Sequence, residues 1–256
     1  MQRSEAVLAR IHFVSHLGGE PVEDVDHEAV EAQIAATARS WSDDLGQALL
    51  EHDGEARGTR LHQAYGDAVS AAYREDTSPR TAAQDINRLE SLDQQNGLAI
   101  SLYRPLEAPA GSLRLKLYHT GEPISLSAVL PVLEHMGVQV MDERPYGIYP
   151  KDRAPRWIHD FGLQHDPGRE LDAGTLRDHF QAAFAAIWRG ETDDDGFNGL
   201  ILSAGLSWQD ITILRAYSQY LRQAGTPSRQ PYIEQTLAAH PTIAATLVAL
   251  FDARCD

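Results

Sequence analysis

The hydrophobic positions change period several times along the chain, and each change marks a new kind of element. "RIHFVSHL", residues 10–17, alternates Ile11, Phe13 and Ser15 with His12, Val14 and His16, and "LGGEP" then breaks the run. That alternation predicts a strand and a turn. From Asp26 to Leu50 the apolar positions Val30, Ile34, Trp41, Leu45 and Leu49 recur at helical spacing, with Gly54 as a stop. Leu61, Tyr65, Val69 and Tyr73 predict a second helix. Ser78 with Pro79 predicts the capped start of a third, running through Ile86 and Leu89 to Gly97.

At Leu98 the period returns to two. Leu98, Ile100 and Leu102 alternate with Ala99, Ser101 and Tyr103, and Leu113, Leu115 and Leu117 alternate with Arg114, Lys116 and Tyr118. Both segments read as half-buried strands with one face turned to water. Ser125 or Ser127 caps a helix with the stripe Leu126, Val129, Leu133 and Met136 or Gly137, and Pro131 falls near its first turn. "VQVMDE" is the next strand, and Trp157, Phe161 and Leu163 suggest one more, appended to the set. The order is strand, helices, strand, strand, helix, strand, which predicts a ferredoxin-like α+β fold with an antiparallel sheet. Its first connection is too long for such a unit, so the helices of about 26–96 read as an insertion.

Past "HDPGREL" the pattern is purely helical. Thr175 with Asp178 and Ser207 with Asp210 resemble capping boxes, and Gly190, Gly205 and Gly225 stand where helix ends belong. The expected division is therefore an α+β domain over 1–170 and a helical segment over 171–256. The last helix, behind Pro241, reaches "DARCD" without a capping or turn signal, as expected of a sequence that continues.

Charge narrows the function. Lys and Arg total 22 against 37 Asp and Glu, a net charge of -15, so the chain repels phosphate backbones and anionic bilayers. Neither a nucleic-acid partner nor a membrane is expected. Cys255 is the one cysteine, which excludes an intrachain disulfide and fits a cytoplasmic protein.

Motifs for chemistry are sparse. The sequence contains no G-x-G-x-x-G, G-x-x-x-x-G-K-[ST] or G-x-S-x-G. "ETDDDGFNGLIL" places Glu191, Asp193 and Asp195 as in a calcium loop, but Leu202 stands where a bidentate glutamate belongs, so an acidic helix start is expected instead. His159 and His165 lie about 20 Å apart on a strand, too far to share a metal ion. Lysine occurs only at Lys116 and Lys151. No metal site and no catalytic residue are expected.

Four longer runs carry a resemblance. "LRLKLYHTGEPISLSAVLPVLEHMGVQVMDERPYGI", "WIHDFGLQ", "FNGLILSAGLSWQDITILRAYSQYLRQAG" and "YIEQTLAAHPTIAATLVALFDAR" resemble, in this order, stretches of the large bacterial NAD-specific glutamate dehydrogenases. The resemblance spans about Arg10 to Asp256. It implies that the α+β part is ACT-like and that the chain is a non-catalytic piece of the N-terminal regulatory region. It also implies that NAD and the glutamate-site lysines belong to the catalytic part of the parent protein. No cofactor-binding residue is carried over. An amino-acid effector would contact the glycine turns after strands, at Leu17, Gly18 and Gly19 and at Gly121. Expected partners are other domains of the same chain and further subunits of a homo-oligomer. A free-standing amino-acid-binding module and a helical interaction scaffold stand beside this reading as alternatives.

Overall fold

The computed structural model divides into two compact units, residues 1–40 and 41–256. It describes residues 26, 40–92, 97–105, 108–109, 111–165 and 174–255. The strand expected at 10–17 and the site residues Leu17, Gly18 and Gly19 lie outside the described residues. Every described helix and strand belongs to the second unit.

Its centre is a four-stranded sheet of β1 (Leu98–Tyr103), β2 (Ser112–Thr120), β3 (Gln139–Ile148) and β4 (Arg156–Gln164), in the order β1-β2-β4-β3. Every neighbouring pair is antiparallel. β2 and β3 thus run parallel with β4 between them, joined by helix α5 (Leu126–His135). This is the split strand–helix–strand unit of a ferredoxin-like sheet. β1 takes the edge beside β2, the place a sequential ferredoxin-like order gives to its last strand. The described strands fill all four positions from residues 98–164.

The strand expected as an appendage, β4, is central. Phe161 and Leu163 join the core on one face and Ile158 the core on the other. A strand buried on both sides needs neighbours and cover that an appended edge does not have.

Four helices lie on the Ile158 face: α1 (Trp41–Asp53), α2 (Glu55–Tyr65), α3 (Ala71–Asp76) and α4 (Pro79–Glu90). Leu45, Leu49, Tyr65, Ile86 and Leu89 pack with Tyr118, Tyr146 and Ile148 from the strands. The expected second helix is two pieces, because the chain turns after Tyr65 and Ser70 caps α3 by accepting from the Tyr73 N–H. Ser78 caps α4 with Pro79 at its start, as expected. Because these helices cover the sheet, the expected wet face of β2 is closed: Lys116 and Tyr118 are buried.

On the opposite face Leu113, Leu115 and Leu117 meet α5 and α6 (Thr175–Trp188), whose Phe180 and Phe184 are fully buried. α6 thus shares a core with the sheet, although the sequence pattern assigned it to the helical segment. Pro131 lies in the interior of α5, a turn deeper than expected. The chain continues through a 3-10 turn (Gly196–Gly199), α7 (Leu200–Ala204), α8 (Trp208–Gln223), α9 (Gln230–Ala239) and α10 (Pro241–Cys255). Among the described residues no single helix is long and apolar enough to cross a membrane; α9 and α10 reach that composition only as a pair, bent by 102°.

Candidate functional site

The sequence-derived site that the structure describes is the turn between β2 and α5. Gly121 has φ +90°, a conformation a side chain would strain, although a Cβ there would meet nothing within 4 Å. Its N–H donates to the Pro155 carbonyl at 3.1 Å, and its carbonyl accepts from the Trp157 indole at 2.9 Å. These bonds pin the turn to the start of β4.

Two histidines stand behind it. His119 near the end of β2 and His159 on β4 stack with ring centroids 5.3 Å apart. His159 Nε2 accepts from the Ile124 N–H at 3.3 Å, so its proton sits on Nδ1, which donates to Glu143 at 2.8 Å. Both nitrogens are used. His119 differs: it is buried, and its Nε2 has no hydrogen-bond partner. Burial, helped by the neighbouring His159, lowers its pKa to about 4, so the ring is neutral at neutral pH. Beside it a cavity of about 270 Å³ is lined by Leu98, His119, Thr120, Ile124, Trp188 and Arg189. Such a space offers an apolar wall and one unpaired polar nitrogen, while its arginine, Arg189, donates to both carboxylate oxygens of Glu191 at 2.7 and 3.0 Å.

The spacing test applied to His159 and His165 missed His119. Its proximity depends on cross-strand register, which sets His119 opposite Trp157 and one step diagonal from His159. Periodicity within one strand carries no trace of that.

A second polar centre lies on the other face. Asp85 of α4 accepts from Lys116 Nζ at 2.6 Å, from Tyr73 Oη at 2.7 Å and from Tyr118 Oη at 2.7 Å. Asp85 and Lys116 are both buried. Burial raises the pKa of both tyrosines, reinforced by the Asp85 charge, so each stays a hydroxyl donor. Lys116 is therefore a buried ion-pair partner, not a strand lysine facing water. Next to it Arg114 bonds Asp160 at 2.9 Å and Asp142 at 3.0 Å. Asp85 flanks the apolar stripe Ala82, Ile86 and Leu89, and a carboxylate on a buried helix face is the one sequence signal that could have found this centre.

The acidic loop of the calcium comparison is tied up differently. Asp195 caps the 3-10 turn by accepting from the Phe197 N–H, and buried Arg215 grips its carboxylate at 2.8 and 2.9 Å. A guanidinium takes the place a metal ion would need. Among the described residues the turn joining β2 to α5 carries the single glycine Gly121, with no glycine-rich backbone there to receive a pyrophosphate.

Comparison with known proteins covers almost the whole chain. Four family models match in succession: glutamate dehydrogenase ACT2 domain at residues 1–42, helical motif 2 at 48–92, ACT3 domain at 97–176 and helical motif 3 at 192–256. These models divide 1–176 into three named pieces where the sequence pattern drew one domain with an insertion. An NAD-specific glutamate dehydrogenase of Halomonas elongata is 44% identical over 99% of the chain, one of Pseudomonas aeruginosa 38% over 98%, and one of Mycobacterium tuberculosis 33% over 98%. The chain spans 16% of the length of each of these relatives.

Proposed function

The chain belongs to the family of NAD-specific glutamate dehydrogenases, and we propose that it serves there as a non-catalytic segment for regulation and subunit assembly. The parent reaction on this reading is oxidation of L-glutamate by NAD, with water, to 2-oxoglutarate, ammonia and NADH. Both NAD and the reacting glutamate sit in other parts of the parent protein.

The observation that carries this reading is that three ionisable side chains of the sheet, Lys116, Arg114 and His159, are each tied to a carboxylate. Lys116 is held by Asp85, Arg114 by Asp160 and His159 by Glu143. Groups held in buried or part-buried pairs hold a fold together and are poorly placed to exchange protons with a substrate. The test is NADH formation by the chain alone from L-glutamate and NAD. None is expected, and turnover would overturn the non-catalytic reading.

Assembly is supported by the apolar surface of the helical part. Tyr220 of α8 is 66% exposed, Tyr232 of α9 64% and Leu250 of α10 64%. Large exposed apolar side chains on a charged protein favour contact with other parts of the parent chain or with further subunits.

For regulation, the candidate is an amino-acid effector at the turn of Gly121 and the cavity beside it, with a polar atom on His119. Calorimetric titration with a panel of amino acids tests this. A saturable heat lost in His119→Phe supports it, whereas no saturable heat leaves assembly as the segment's role.

A further inference from the structure

A second cavity, of about 500 Å³, opens along the outer edge of β1 between α4 and α6. Its lining includes Arg88 from α4, Lys116 from β2, Arg177 and Gln181 from α6, Tyr103 and Gln84. Three cations face this space in a chain whose net charge is -15. Asp85 is the carboxylate among the lining residues, and it accepts from Lys116 and the two tyrosine hydroxyls.

Each cation has donors to spare. Arg88 donates to the Ile100 carbonyl at 3.3 Å and lies 5.8 Å over the Tyr118 ring, with no carboxylate partner among the described residues. A guanidinium has five N–H donors, so capping the strand edge accounts for a small part of its capacity. Arg177 makes an exposed 3.4 Å contact with the adjacent Asp178. The Lys116 ammonium, 4% exposed at the floor, makes one hydrogen bond, to Asp85, of the three it can donate. Lys116 lies desolvated beside its Asp85 partner, Arg88 and Arg177 are exposed, and arginines on two walls suit a ligand with charge at two places.

We propose that this cavity is a binding site for a small dianion, gripped by Arg88 and Arg177 from the two helices with Lys116 beneath. Carboxylate pairs and phosphoryl groups share that chemistry. The site does not rest on the amino-acid reading of the Gly121 turn, which lies beside a different cavity. It would couple α4 to α6, helices on opposite faces of the sheet.

The test is isothermal titration of the full chain with succinate and, separately, with inorganic phosphate at low ionic strength. Saturable binding is expected from at least one of them. Arg88→Gln and Arg177→Gln should each weaken it about tenfold or more, the loss of one charge-assisted hydrogen-bond set. Binding of succinate alone assigns a dicarboxylate, of phosphate alone a phosphoryl group, and of both a site that reads charge. Because Arg88 also caps the strand edge, its variant is checked by thermal unfolding, and if it does not fold Arg177→Gln decides alone. No saturable heat from either probe up to about 10 mM, or binding that a folded variant leaves unchanged, overturns the proposal.

Discussion

Removing the charge of Lys116 would strand Asp85 among apolar neighbours with two tyrosine donors and no cation. Breaking a buried pair from one side costs about 3–5 kcal/mol, so Lys116→Met is expected to lower the urea midpoint severely. Replacing both partners, as Lys116→Met with Asp85→Leu, removes the uncompensated charge. Its loss should fall short of the sum of the two single losses by about 1 kcal/mol or more, and strict additivity would show that the pair is not coupled. His119 makes a different prediction. Its folded pKa of about 4 lies below the ordinary 6.5, so the unfolded chain binds the extra proton first. Stability from this residue is therefore complete above about pH 6.5 and declines as pH falls toward 4. His119→Phe keeps a ring beside His159 but cannot titrate, and its unfolding midpoint should fall less between pH 7 and 4.5 than that of the unaltered chain. Parallel pH profiles for the two proteins would show that His119 is not the sensor.

Elements were legible where one period or one cap decides them. The Ser207–Asp210 box forms in full: Ser207 Oγ accepts from the Asp210 N–H at 3.2 Å and Asp210 accepts from the Ser207 N–H at 2.9 Å. Ser207→Ala is expected to cost about 1 kcal/mol of stability, measurable as a lower thermal midpoint, because α8 loses the acceptor for its first turn. Thr175 matched the same pattern but became the first residue of α6, with Gly174 at the cap position and no side-chain bond. Glycines at helix ends were read correctly, since Gly190, Gly205 and Gly225 all have positive φ. What a single segment could not reveal was cover. The alternation of Leu113, Leu115 and Leu117 fixed one face of β2, but the Arg114, Lys116 and Tyr118 face looks the same in sequence whether water or α4 lies on it. Gly121 enters only through the family resemblance, as a turn after a strand, while His119 and Asp85 depend on contacts across 40 and 31 residues, to His159 and Lys116 respectively.

At the scale of the whole molecule, two opposing surface properties meet on the helical part. The net charge of -15 pushes copies apart, whereas Tyr217, Tyr220 and Leu221 of α8 and Leu247 and Leu250 of α10 present exposed apolar side chains. The two helices touch there, with the Tyr217 and Phe251 rings 6.1 Å apart and edge-on. Burying such a surface gains about 25 cal/mol per Å² of apolar area, while the like-charge repulsion is long-range and screened by salt. Self-association of this chain should therefore strengthen as salt rises from low ionic strength to about 0.5 M, where the Debye length is only a few ångströms. An interface built on ion pairs would weaken under the same change. Sedimentation velocity over a concentration series at both salt levels reads the sign directly. The double variant Tyr220→Glu with Leu250→Glu should abolish the salt-promoted species while leaving the unfolding midpoint nearly unchanged, because exposed positions typically shift stability by no more than about 0.5 kcal/mol. A chain that stays monomeric at both salt levels would mean that this apolar face is not used between copies and that assembly requires other parts of the parent protein.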